Sequence, residues 1–168
     1  MMNHPARAFA QHYHGEQRYG CDPYVYHLDM VALLCLPYGS DAVTVAYLHD
    51  VIEDTQASVS LVAEHFGEYI AACVAILTDE PGDNRAIKKA RTYHKMAQVS
   101  GRLELALLVK AADRLANLRM CSVTQDQEKI ATYQREHAQF VASVYRPDLC
   151  EHLWDQIHIV MTHLPKMS

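Results

Sequence analysis

Apolar residues recur every three or four positions along almost the whole chain, and no stretch of any length alternates polar and apolar residues. The first spacing is typical of amphipathic helices, whereas alternation is typical of half-buried strands. No low-complexity tract, internal repeat or linker divides the 168 residues. The pattern therefore predicts an all-α fold, a bundle of about eight or nine helices that forms one domain over residues 1–168.

Turn and capping residues divide this pattern into nine segments. Asp22 followed by Pro23 has the composition of a helix start, and "TDEPGDN" at 78–84 is rich in residues that favour turns. The third segment contains "AVTVAYLHDVIED" and is expected to be one continuous helix. The predicted helices cover residues 5–17, 22–36, 40–54, 58–67, 68–77, 85–99, 103–120, 125–145 and 147–164.

The composition is that of an ordinary globular domain, with 50% hydrophobic and 21% charged residues. The net charge of −5 argues against a nucleic-acid-binding surface, which needs a clustered basic excess. No apolar run is long enough for a membrane span, and "MMNHPARAFAQ" lacks the apolar core of a signal peptide. The five cysteines are scattered without a CxxC spacing, so we expect reduced, mostly buried thiols in a cytoplasmic protein.

Polar residues emerge from the apolar stretch of the seventh predicted helix. Lys110, Asp113 and Asn117 follow the apolar run 105–109 at positions i, i+3 and i+7, so they share one face. An acidic residue on a core helix is costly unless it is paired, hydrogen-bonded or bound to a metal. Taken alone, Asp113 is also compatible with an ion pair to Lys110 or Arg114 on a solvated face.

Two other segments carry groups of the same kind. "VAYLHDVIEDT" places His49 and Asp50 one turn before Glu53 and Asp54, and His27 lies on or near the apolar side of the second predicted helix. Together with the aspartate of the seventh helix, two imidazoles and two carboxylates form a donor set that suits Mn²⁺, Fe²⁺ or Zn²⁺. Such an ion can activate water near neutral pH, and Glu53 and Asp54 are placed to orient or deprotonate that water. In isolation, His27 is more typical of a satisfied core histidine.

"HDVIEDT" and "LVKAADRLANLR" together resemble the HD-domain phosphohydrolases, specifically the hydrolase domain of the Rel/Spo alarmone enzymes. "QRYGCDPYVYHLDMVALL" is similar to the family stretch that carries a metal-binding His, and the likeness runs in order from about residue 9 to residue 120. "TDEPGDNRAIKKARTYHKM" resembles small stand-alone members. The resemblance implies these site residues: metal ligands His27, His49, Asp50 and Asp113, catalytic acids Glu53 and Asp54, and nucleotide contacts Arg18 and Asn117.

The resemblance also implies an activity. It is the Mn²⁺-dependent hydrolysis of the 3′-pyrophosphate of guanosine tetra- or pentaphosphate, which gives GDP or GTP and pyrophosphate. No synthetase domain fits into the remaining residues, so we expect degradation of the alarmone and not its synthesis. Tyr19, Gly20–Cys21 and Ala116 depart from the long family members. A second hypothesis therefore keeps the chemistry and changes the substrate to a pyrophosphorylated adenine nucleotide, NADPH or a nucleoside monophosphate. A third is a nucleotide-binding, antitoxin-like protein.

Basic residues on the sixth predicted helix are candidates for substrate contacts. Arg85, Lys88 and Lys89, with Lys110, would form a rim that attracts a polyphosphate, although a solvated basic face is as typical of such a run. The histidines at 65 and 94 are expected on the surface. The pattern of the last two predicted helices suits either a wall of the pocket or the face of a homodimer.

Overall fold

The computed structural model describes residues 4–165, which form ten α-helices and one short β-hairpin. The predicted all-α class is therefore confirmed. Single 3-10 turns at Leu36–Tyr38 and Gly101–Glu104 precede α3 and α8. The elements are α1 Pro5–His14, β1 Arg18–Tyr19, β2 Asp22–Pro23, α2 Val25–Cys35, α3 Ser40–Leu48, α4 Val51–Asp54, α5 Val59–Phe66, α6 Glu68–Leu77, α7 Arg85–Ala97, α8 Leu105–Thr124, α9 Gln127–Val144 and α10 Glu151–His163.

Helix α8 is the centre of the bundle. Residues 106–116 are all buried, and the helix contacts α2, α3, α6, α9 and α10. A helix that is apolar on every side has to be surrounded by other elements. Small side chains at Ala106, Ala111, Ala112 and Ala116 leave room for these neighbours to approach closely. Polar groups on α8 are consequently held in the middle of the protein, at the level where α2 and α3 cross it.

Local sequence explains where several of the other helices begin. The side-chain oxygens of Ser58, Asn84 and Asp126 accept hydrogen bonds from backbone N–H groups three residues further on, at the starts of α5, α7 and α9. Gly67 joins α5 to α6 with a φ of 86°, a backbone conformation that favours glycine. The predicted fourth to ninth helices and the loop at 78–84 are confirmed, with bounds that differ by a few residues.

The prediction that helix 2 starts at Asp22 is wrong. Asp22–Pro23 instead pairs antiparallel with Arg18–Tyr19, and Gly20 takes a φ of 61° in the turn between them. Proline lacks a backbone N–H and would interrupt a longer ladder of hydrogen bonds, but a strand of only two residues tolerates it. The hairpin carries Tyr19 back toward the bundle, and α2 begins only at Val25.

The prediction of one continuous third helix is also wrong. Helix α3 ends at Leu48, and the short helix α4 starts at Val51. Between them Asp50 has φ −104° and ψ −3°, in the sparsely occupied bridge region that often holds active-site residues. His49 and Asp50 therefore lie at a junction of two helices and not within one.

Two further expectations concern the cysteines and the absence of a membrane-spanning helix. Four of the five cysteines are buried, Cys21 is exposed, and none forms a disulfide. Within residues 4–165, no helix combines the length and the apolar character that crossing a membrane requires.

The central position of α8 predicts a large effect of truncating its core side chains. We expect Leu115→Ala to lower the free energy of unfolding by about 2–5 kcal/mol, because it removes a fully buried side chain and leaves a cavity. Val123→Ala on the same helix is the matched control: its side chain is 81% exposed, and its effect should stay within about 0.5 kcal/mol. Urea denaturation measures both; similar values for the two variants would contradict the assigned role of α8.

Candidate metal centre

Four side chains that the sequence analysis singled out meet at one point of the bundle. His27 comes from α2, His49 and Asp50 from the α3–α4 junction, and Asp113 from α8, which packs against both. The Nε2 atoms of His27 and His49 lie 3.3 Å apart, and the Oδ2 atom of Asp50 lies 2.9 Å from His49 Nε2. Asp113 Oδ1 lies 3.3 Å from His27 Nε2 and 3.7 Å from His49 Nε2. In His27, His49 and Asp50, one ligand atom of each residue lies within 4.8 Å of the other two, which is close enough to share a metal ion.

The orientation of the imidazoles fits a cation. His49 Nδ1 lies 2.7 Å from the carbonyl oxygen of Ala46, so Nδ1 carries the hydrogen and Nε2 faces the other donor groups. Burial alone would lower the pKa of His49, but the Asp50 and Asp113 carboxylates outweigh it and raise this pKa to about 10. A buried cluster of two carboxylates and two imidazoles thus attracts a positive charge strongly. Nitrogen and carboxylate donors in this number suit a divalent transition metal.

Hydrogen bonds from neighbouring side chains fix both carboxylates. The Tyr24 hydroxyl donates to Asp50 Oδ2 at 2.5 Å, and burial together with the Asp50 charge raises the pKa of Tyr24, so that it stays a donor. On α8, Lys110 Nζ lies 2.9 Å from Asp113 Oδ2, and Asn117 Nδ2 donates to Asp113 Oδ1 at 2.6 Å. Such partners orient metal ligands and tune their affinity.

The predicted catalytic pair is divided between two environments. Glu53 lines the cleft beside the four converging side chains and accepts a hydrogen bond from the Asp79 backbone N–H at 2.9 Å. Both acids are exposed, but Asp54 does not line the cleft. Its Oδ2 accepts a hydrogen bond from Gln17 at 2.9 Å, and Gln17 Oε1 accepts one from His14 Nδ1 at 2.7 Å. The two adjacent acids therefore differ in their partners and in their access to the cleft.

The cleft has a volume of about 130 Å³ and contains most of the predicted substrate residues. Arg85, Lys89, Lys110 and Asn117 all line it. Lys88 instead lines an adjoining cavity of about 340 Å³, which shares Glu53 and Arg85 with the cleft.

Arg18, the predicted nucleotide contact, is exposed on β1 and lies outside the lining of the cleft. The next residue, Tyr19, lies there instead. Its ring stacks on His27 with a centroid distance of 4.6 Å, and its hydroxyl donates to Asn117 Oδ1 at 2.9 Å. The hairpin explains this outcome, because successive residues of a strand point to opposite faces.

Several cleft residues were missed by the sequence analysis. Tyr24 and Arg114 flank predicted ligands, and the burial of Arg114 within an apolar stretch was a usable signal. Tyr133 comes from α9 and has no local pattern that connects it to the site. The histidines at 65 and 94 are exposed, as expected.

Comparisons with known proteins identify the family of this chain. A family model described as an HD domain matches residues 6–147. A guanosine-3′,5′-bis(diphosphate) 3′-pyrophosphohydrolase of Aquifex aeolicus is 32% identical over 127 residues, which are 74% of this chain and 18% of that protein. The GTP pyrophosphokinase rsh of Brucella ovis is 34% identical over 131 residues, again 74% of this chain and 18% of that protein. The chain thus spans less than a fifth of the length of these relatives.

Among solved structures, one is described as a metazoan ortholog of SpoT that hydrolyses ppGpp and plays a role in starvation responses. It superposes on this protein with a TM-score of 0.79 at 26% sequence identity. The match covers 94% of this chain and 92% of the other, so the two proteins share the whole bundle and not only its central helices.

Tyr24 provides a test of the hydrogen bonds around the metal centre. We expect Tyr24→Phe to weaken the binding of Mn²⁺ by roughly 10- to 100-fold, because the substitution removes only the hydroxyl that orients Asp50. Tyr26→Phe, two residues further on in the first turn of α2, is the matched control, since that residue is 47% exposed. Titration of the metal-free protein by calorimetry gives both affinities. Equal affinities in the two variants would show that the Tyr24 hydroxyl does not orient a ligand.

Glu53 provides a test based on pH. Burial and then the nearby Asp79 carboxylate raise the pKa of Glu53 above its ordinary value. An acid whose pKa is higher in the folded than in the unfolded state destabilises the fold where it is ionised, and this cost disappears as the pH falls below the unfolded pKa. We therefore expect Glu53→Gln to have a higher Tm than the wild type at about pH 8, with a difference that vanishes near about pH 4.

Thermal denaturation of the metal-free protein across this pH range measures the Tm difference. The exposed Glu64 on α5 offers the matched control, Glu64→Gln, which should show no such pH-dependent difference. A Tm difference for Glu53→Gln that stays constant with pH would contradict the assigned environment of this carboxyl group.

Proposed function

The chain belongs to the HD-domain family, and from this premise we propose that it is a guanosine-3′,5′-bis(diphosphate) 3′-pyrophosphohydrolase. Its substrate is ppGpp or pppGpp, its products are GDP or GTP and pyrophosphate, and its metal is Mn²⁺. The observation that carries the proposal is the convergence of His27, His49, Asp50 and Asp113, of which all but the buried His49 line a cleft that also contains basic side chains. The likeness to a SpoT ortholog that hydrolyses ppGpp supports the choice of substrate.

The donor set supports a hard or borderline divalent ion. Two imidazoles and two carboxylates match the ligand preferences of Mn²⁺ better than those of Ca²⁺, which takes oxygen ligands only. An ion held there would supply Lewis acidity at the phosphate and make water a usable nucleophile near neutral pH. The protein's own contribution is to fix the two carboxylate ligands, Asp50 through Tyr24 and Asp113 through Lys110 and Asn117.

Proton transfer is assigned to Glu53. Its carboxyl group lies in the cleft, and its pKa is raised by burial and by Asp79, which brings it toward the pH at which a general base works well. Asp54 lies outside the cleft lining and is held by Gln17. The part of Asp54 in the proposed reaction is therefore limited to the electrostatic effect of its negative charge.

The remaining walls of the cleft fit a polyphosphorylated nucleoside. Arg85, Lys89 and Lys110 are positively charged groups that attract a substrate carrying two diphosphates, even though the protein as a whole is acidic. Tyr19 and Tyr133 present aromatic surfaces on the same cleft, and such surfaces stack well on a base. Arg18 remains a candidate for base contact from outside the cleft, because it is exposed at the hairpin.

Hydrolysis of ppGpp by the purified protein with Mn²⁺ is the direct test. We expect stoichiometric release of GDP and pyrophosphate, and a loss of turnover of roughly 100-fold or more in Asp113→Asn and His49→Ala. His65→Ala changes an exposed histidine outside the cleft and should retain the wild-type rate. Assays on NADPH, pyrophosphorylated adenosine and nucleoside monophosphates run in parallel. If the protein releases no pyrophosphate from ppGpp but hydrolyses one of these other nucleotides, the proposed substrate is wrong and that nucleotide replaces it.

A further inference from the structure

One carboxylate in the wall of the cleft serves two arginines. Glu136 on α9 accepts hydrogen bonds from Arg85 of α7, from Nε to Oε1 at 2.8 Å and from Nη2 to Oε2 at 3.2 Å. Arg114 of α8 approaches the same Oε2 atom with its Nη2 at 3.4 Å. Both arginines line the cleft, whereas Glu136 is absent from its lining. The carboxylate therefore holds the arginines from behind.

The two arginines differ in their freedom to move. The Arg114 side chain is 5% exposed, lies over the rings of Tyr133 and Phe140 at 4.5 and 4.2 Å, and donates to the Tyr93 hydroxyl at 2.8 Å. The Arg85 side chain is 53% exposed. The guanidinium group of Arg85 can therefore exchange hydrogen-bond partners without disturbing the core, whereas Arg114 is fixed by its aromatic neighbours.

The charges of this cluster are not balanced. Two guanidinium groups share one carboxylate, and over the described residues 4–165 the Nη1 atom of Arg114 is buried without a hydrogen-bond partner. A buried donor on a charged group is costly when it has no partner. Lys89 and Lys110, the other cations of the cleft, are already paired with Asp79 and Asp113. The excess positive charge is thus located at the arginine pair, which is where an anion would gain most.

We propose that Glu136 is a resident counter-ion of the arginine pair, and that an incoming phosphate or diphosphate group displaces it from Arg85. Glu136 then stays with Arg114, and Arg85 turns toward the anion. In this arrangement Glu136 sets the affinity of the cleft for phosphorylated ligands, because each binding event has to break its ion pair with Arg85. The inference rests on the proposed function only for the identity of the whole substrate; the anion can be tested by itself.

The test is the binding of inorganic pyrophosphate to the full chain at a fixed Mn²⁺ concentration, measured by calorimetry. Glu136→Gln keeps an oxygen for Arg114 but removes the charge that competes for Arg85, so we expect pyrophosphate to bind about tenfold more tightly than to the wild type. The gain should shrink as salt is added, because Arg85 is half exposed. A residue with a purely structural role would weaken binding when it is changed, not strengthen it.

The matched control is Glu64→Gln, which removes the same charge from an exposed position on α5, outside the cleft and without an arginine partner among the hydrogen bonds of the described chain. It should leave the affinity within about twofold of wild type. Equal gains in both variants would mean that net charge alone is responsible and would overturn the proposal. Pyrophosphate binding that is unchanged or weaker in a folded Glu136→Gln protein would also overturn the proposal.

A second variant covers the case in which Glu136→Gln does not fold. Arg85→Met changes an exposed side chain and should leave Tm nearly unchanged while weakening pyrophosphate binding about tenfold. Unchanged binding in Arg85→Met would overturn the proposal on its own. If pyrophosphate binding follows these expectations but ppGpp is not hydrolysed, the proposed function is refuted and this inference stands. If ppGpp is hydrolysed but the variants do not change pyrophosphate binding as expected, this inference is refuted and the proposed function stands.

Discussion

The buried carboxylate of Asp113 is the constraint on which the rest of the site depends. It lies in the middle of the central helix α8, where an isolated negative charge would be strongly destabilising. Lys110, Asn117 and the imidazoles of His27 and His49 surround it within 3.7 Å. Lys110 and Asn117 belong to α8 itself, whereas His27 and His49 come from α2 and the end of α3, which both pack on α8, so the bundle and the charge stabilise one another. A divalent cation bound here would add to the same compensation.

The break between α3 and α4 is what allows two consecutive residues to serve one site. Adjacent residues of a continuous helix point about 100° apart around the axis, so His49 and Asp50 would face different neighbours. At the junction the backbone of Asp50 leaves the helical conformation, and Asp50 Oδ2 comes to lie 2.9 Å from His49 Nε2. The deviation from regular structure is therefore part of the site. The hydrogen bond from the Tyr24 hydroxyl holds the Asp50 carboxylate in this position.

Apolar periodicity predicted most helices because each one packs a single face on α8 or on its neighbours. It could not predict the α3–α4 break, since the residues on both sides of His49–Asp50 continue the helical spacing. The hairpin at Arg18–Pro23 was mistaken for a helix start because Asp-Pro occurs in both settings. Tyr133 reaches the cleft, and Glu136 reaches the arginines behind it, only through the packing of α9, a long-range contact that no local pattern encodes. The convergence of the four donor residues followed from family resemblance together with helical spacing.

The structure distinguishes two acids that the sequence treated as a pair. Glu53 and Asp54 are adjacent on the short helix α4, so their side chains leave the helix axis about 100° apart, and only Glu53 lines the cleft. Glu53 lies in the cleft, with a pKa raised by burial and by Asp79. Asp54 is tied to α1 through Gln17, which His14 fixes in turn. Two carboxyl groups in such different surroundings are suited to different tasks. The proposed proton exchange with a bound substrate therefore falls to Glu53, whose carboxyl group lines the cleft, whereas Asp54 is linked to the N-terminal helix α1 through Gln17 and His14.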